Sequence, residues 1–174
     1  SRIEELEKRI RELLKENRDL VKESEDRVEE LLRRNEELVR RSKEKVERLL
    51  EELRRKGVPD EELRRVEERL RRLLEESKRS SDELRERAEK LVRDSRRSTE
   101  ELEERAKRVL ELLRAGKDVD EVLRRLKKLS DDNKELNERL TRTLEELSRR
   151  NADINKKLSD EAEKLIRDLE KRAT

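Results

Sequence analysis

The chain has 174 residues, 57% charged and 29% hydrophobic, which suits a thin, elongated core and leaves too little apolar material for a wide one. Lys and Arg number 51 against 49 Asp and Glu, interleaved from end to end, so no half of the chain is basic enough to suggest nucleic acid. Cys, His, Met, Phe, Trp, Tyr and Gln are absent, which excludes disulfides, the usual ligands of zinc, copper and haem, and aromatic stacking on bases.

The first predicted element is a helix over about 2–56. Ser1 and Glu4 have the spacing of a capping box at its start. Its apolar residues recur every eighteen positions: Ile10, Val28 and Val46; Leu13, Leu31 and Leu49; Leu14, Leu32 and Leu50; Val21 and Val39. Eighteen residues at about 3.6 per turn make about five whole turns, so the stripe returns to the same angle without drift. Glu30 and Arg34, like Glu4 and Lys8 or Glu44 and Arg48, stand four apart on the outer face, where they support the helix as ion pairs. Gly57 suits the left-handed residue that ends it.

The second element covers about 60–115. Pro59 suits a helix start, and Asp60, Glu61 and Glu62 stand at its positive end. The same period continues through Leu70, Ala88 and Ala106 and through Leu84 and Leu102, until Gly116 offers a second left-handed stop. The third element covers about 119–173. Asp118 and Glu121 are spaced as a capping box, and the period runs through Leu126, Leu144 and Ala162 and through Leu129, Leu147 and Leu165. With connections this short, consecutive helices must fold back on one another. The expectation is an all-α, antiparallel up-down-up three-helix bundle of nearly straight helices forming one elongated domain over 1–174. At about 1.5 Å per residue each helix would span roughly 80 Å.

Polar residues interrupt each stripe. Asn17 and Asn35 are followed one repeat on by Leu53, and Ser24 and Ser42 are preceded by Leu6. Ser77 and Ser95 give way to Leu113; Ser81 and Thr99 follow Leu63. On the third helix Ser130 and Ser148 become Ile166, Asn133 and Asn151 become Leu169, Asn137 and Asn155 follow Val119, and Thr141 and Ser159 follow Leu123. Each of these positions is apolar in its terminal copy, so each faces inward. Counting from the loops puts Asn17 with Thr99 and Asn133, and Ser24 with Ser95, Asn137 and Thr141. One repeat further, Asn35 meets Ser81 and Asn151, and Ser42 meets Ser77, Asn155 and Ser159. Buried amides and hydroxyls cost about 1–3 kcal/mol each when unpaired, so these groups are expected to bond to one another as a buried polar network. Ser80 and Ser98 match Glu62 and lie at the stripe's edge, where solvent is the expected partner, and Thr143 falls outside it.

An aliphatic core without aromatics, repeats of eighteen, matched helix lengths and the loop "KGVPDEE" resemble de novo designed helical bundles. The layered Asn, Ser and Thr resemble those designs in which buried hydrogen-bond networks specify how helices pair. The resemblance covers the whole chain and implies a human-made scaffold with no evolved substrate. Spectrin-type three-helix repeats share the topology, but have aromatic core residues and shorter helices.

The function expected is therefore structural: a single-chain scaffold whose polar layers fix helix register, needing no partner and no cofactor. The alternative is an interaction module that self-associates or accepts a complementary fourth helix. Catalysis is not expected, because without His the only bases for a serine nucleophile are Lys and carboxylates on solvated faces. No spacing suits a calcium loop, and no run approaches the roughly 20 apolar residues of a membrane span. Amphipathic lipid binding is disfavoured by Asn and Ser on the apolar face.

Overall fold

A computed structural model describes residues 1–173. The described residues form three helices and no strand: α1 (Arg2–Arg55), α2 (Asp60–Arg114) and α3 (Asp120–Ala173). They pack as a three-helix bundle. The helix limits fall one residue inside the expected 56, 115 and 119, and the reason lies in the caps.

At the end of α1, Gly57 takes φ 72° and its N–H donates to the Arg54 carbonyl at 3.2 Å, while Val58 N–H reaches the Leu53 carbonyl at 3.4 Å. This Schellman arrangement makes Lys56 the half-in cap residue, outside the helix proper. Val58 and Leu53 are both buried in one apolar cluster, the hydrophobic contact that accompanies the motif. Gly116, at φ 73°, repeats the device: its N–H donates to Leu113 and that of Lys117 to Leu112, each at 3.1 Å. No backbone angle other than these two glycines is left-handed among the described residues.

The Ser1 hydroxyl accepts the Glu4 N–H at 3.3 Å, half of the expected capping box. Asp118 departs from its expected role. Its carboxylate accepts the N–H of Asp120, the first residue of α3, at 3.1 Å, and the Val119 carbonyl opens the helix by accepting Leu123 N–H at 2.8 Å. The cap therefore falls at Val119, and Asp118 closes a local turn of the type that short acidic side chains favour.

Contacts divide the molecule into two compact units, each drawing on all three helices: Ser1–Glu29 with Arg87–Leu144, and Glu30–Glu86 with α3 from Glu145 onward. In unit 1 the pairs Arg114 with Glu7 (3.6 Å) and Arg2 with Asp120 (2.9 Å) put the start of α1 beside the end of α2 and the start of α3. That fixes α2 antiparallel to its neighbours. Ile10, Leu102, Ala106, Val109, Leu113, Val119 and Leu126 form the core of this unit. In unit 2, Val46, Leu53, Leu63, Val66, Leu70, Leu158, Ala162 and Ile166 are among the residues that do the same. Full burial of one such leucine contributes about 1.5–3 kcal/mol. Charged pairs close the rims, among them Arg96 with Glu25 (3.3 Å) in unit 1 and Arg54 with Glu67 (2.5 Å) in unit 2. Exposed pairs of this kind are each worth about 0–1 kcal/mol, so packing outweighs them.

Candidate functional site

The chemistry-bearing residues of this chain are the polar members of its core. In each unit they follow directly on the apolar cluster along every helix. In unit 1, Asn17 Nδ2 donates to Thr99 Oγ1 at 3.2 Å and Asn133 Nδ2 donates to Asn17 Oδ1 at 3.4 Å, joining α1, α2 and α3 in one layer. The Asn133 amide also reaches the Ser98 main-chain carbonyl at 3.4 Å. One turn further along α3, Asn137 accepts from the Ser95 hydroxyl at 3.1 Å and donates to the carbonyl of Asn133 at 2.9 Å.

Unit 2 repeats the plan. Asn35 Nδ2 donates to Ser81 Oγ at 2.6 Å, and Asn151 Nδ2 to Asn35 Oδ1 at 2.9 Å. Ser77 donates to Asn155 Oδ1 at 2.9 Å, and Asn155 Nδ2 to the Asn151 carbonyl at 2.8 Å. Among the described residues every side-chain nitrogen or oxygen fully closed off from solvent has a hydrogen-bond partner. Satisfaction of this kind is the condition under which a polar layer is tolerable inside a core.

The structure thus brings together Asn17, Thr99 and Asn133, and Asn35, Ser81 and Asn151, in two complete three-helix layers. It brings together Ser95 with Asn137 and Ser77 with Asn155, but Ser24 and Ser42, although buried, enter none of these bonds. Ser130, Thr141 and Ser148 are half-buried and also stay outside them; Ser81, Thr99 and Ser159 are half-buried too. These six lie toward the sides of their stripes, so the description of them as buried is corrected to partly exposed. Part of the expected side-chain pairing of Asn137 and Asn155 goes to the carbonyl four residues back on their own helix, which short polar side chains can reach.

Further corrections concern residues the repeat pattern placed elsewhere. Ser80, expected at a solvated edge, is only 9% exposed, and its hydroxyl donates to Asn151 Oδ1. Ser159, expected beside Ser42, instead accepts from Lys45 Nζ at 2.5 Å, and Lys45 also contacts Glu163. A lysine had no place in the expected layer. Its signal in the sequence was its position, four residues before Leu49 on the margin of the stripe, from which a long stem can lie along apolar surface and carry its charge to the rim. Thr143, expected outside the stripe at the surface, is instead half-buried and satisfied by the Arg139 carbonyl at 3.1 Å.

Electrostatics at the rim follow from these contacts. The hydrogen bond from Lys45, then its charge, holds the Glu163 carboxyl below the usual carboxylate range. The hydrogen bond to Glu170 raises Lys56 above the usual lysine range; desolvation opposes it, and the charges of Glu170 and Glu52 add to the rise. Among the described residues no cluster of acids is arranged to hold a metal ion, and no helix is long and apolar enough to cross a membrane. Comparison with protein-family models, curated proteins and solved structures finds no match to the chain.

Proposed function

We propose that this chain is a structural scaffold without a natural substrate, in the manner of the designed bundles it resembles, and that its buried Asn, Ser and Thr layers specify how the helices align. The observation that carries this reading is the constancy of the offset. Asn17 meets Asn133 and Asn35 meets Asn151 at the same sequence separation, 116 residues. A stripe of leucines repeated every eighteen residues would tolerate a slipped helix. With amides present, a slip sets Asn against Leu and leaves buried groups unpaired, at about 1–3 kcal/mol for each. The layers therefore act on specificity more than on stability. The reading assigns the chain no catalytic role, no cofactor and no nucleic-acid or membrane partner.

Asn35→Leu tests it. The variant sets a leucine against buried Asn151 and leaves its Nδ2 without an acceptor, so it melts below the parent chain by the cost of about one unpaired group, about 1–3 kcal/mol, and it loosens helix register or association state. A variant unchanged in both melting temperature and scattering mass contradicts the reading at that layer.

A second reading, an interaction module that self-associates or takes up a fourth helix, draws support from apolar side chains that stay partly exposed. Leu129 and Leu136 on α3 are half-buried, and Ile3 is 45% exposed. Light scattering separates the two: the scaffold gives a single 21.2 kDa species, and a mass that rises with concentration supports self-association. Titration with helical peptides tests the fourth-helix form.

A further inference from the structure

The two polar layers are sequence repeats of each other, yet they are not built alike, and the difference turns on one pair of equivalent serines. Ser80 and Ser98 are eighteen residues apart on the same face of α2. In unit 2 the Ser80 hydroxyl is buried and donates to Asn151 Oδ1, so the Asn151 amide is gripped from both sides: its oxygen by α2 and its nitrogen by Asn35 of α1. In unit 1 the Ser98 hydroxyl takes no part in the layer, and Asn133 reaches past it to the Ser98 main-chain carbonyl.

The remaining bonds follow the same order. Asn35 to Ser81 is 2.6 Å where Asn17 to Thr99 is 3.2 Å, and Asn151 to Asn35 is 2.9 Å where Asn133 to Asn17 is 3.4 Å. Ser77 to Asn155 is 2.9 Å where Ser95 to Asn137 is 3.1 Å. Amide hydrogen bonds are strongest near about 2.9 Å and weaken as they lengthen beyond about 3.2 Å. An asparagine fixed at both ends of its amide has one orientation to offer its partners, and those partners then sit closer.

We propose that Ser80 is a positioning residue: by orienting Asn151 it tightens the unit 2 layer, and the lack of an equivalent role for Ser98 leaves unit 1 as the half that opens first. The proposal rests on the reading of the layers as determinants of register, and it adds that the two layers differ in strength. Opening of a cooperative segment is what native-state amide exchange detects.

Hydrogen exchange read by mass spectrometry on the full chain is the test. Protection factors around Ser77–Ser81 and Ser148–Asn155 exceed those around Ser95–Thr99 and Ser130–Asn137. Ser80→Ala lowers the unit 2 values by about three- to tenfold, the range expected for loss of one net hydrogen bond. Ser98→Ala makes the same change in helix propensity, which favours the helix, and leaves unit 1 no less protected than before, and Ser80→Thr, which keeps the hydroxyl, restores protection. Equal protection of the two halves in the parent chain, or the same response to Ser80→Ala and Ser98→Ala, overturns the proposal. If Ser80→Ala is silent while Asn35→Leu still loosens register, Ser80 alone is excluded; if both are silent, the layer reading falls with it.

Discussion

Single residues divide here into those with conformational and those with chemical duties. Gly57 belongs to the first kind. A Cβ built on it meets nothing within 4 Å, so the only obstacle to a side chain is its φ of 72°. Gly57→Ala is therefore expected to cost about 1 kcal/mol, the left-handed penalty of an L-residue, and denaturant melts would register it as a lower midpoint with an unchanged slope. Asn17, Asn35, Asn133 and Asn151 belong to the second kind, and they were legible in the sequence because each has a leucine as its terminal repeat mate. Ser80 was not legible, since its own repeat mate is Glu62 and periodicity alone cannot tell a hydroxyl at a solvated margin from one turned into the core. Lys45 was missed for a related reason: a charge on the margin reads as surface, and only side-chain packing reveals that its ammonium group bends back to Ser159.

Helix starts and stops were written locally and so could be read almost to the residue: two glycines and one proline mark the two turns, and the Schellman bonds at Gly57 and Gly116 shorten α1 and α2 by a single residue each. Partners across helices were less legible, because an eighteen-residue repeat gives the level of a residue but not whether its side chain turns to a neighbour or to its own backbone, as Asn137 and Asn155 do. One inter-helix contact makes a prediction about pH. The Glu163 carboxyl is held low by Lys45, so its contribution is present above the usual carboxylate range and is lost as pH falls through its depressed value. Glu163→Gln should accordingly melt below the parent chain at pH 7, and the gap should close in acid once the parent's carboxylate is protonated. A gap of the same size at pH 7 and at low pH would mean that the pair adds nothing through its charge.

The whole molecule is an exercise in repetition with marked exceptions. Repeats of eighteen give one apolar stripe to all three helices, and the terminal copies Leu53, Leu113 and Leu169 seal with aliphatic groups the positions that carry Asn or Ser elsewhere. Fold class was legible because composition, period and loop chemistry all pointed the same way. The division into two units was not, since it depends on contacts among segments far apart in sequence. The central claim is that amides from α1 hold that helix in register. It is tested most directly by spin-label distances between Lys43→Cys and Lys157→Cys, measured with and without the pair Asn17→Leu and Asn35→Leu. With the asparagines present a single narrow distribution is expected; without them the distribution should broaden or gain a second population about one helical turn away, roughly 5 Å. A distribution that stays single and equally narrow in the double leucine variant would contradict the account.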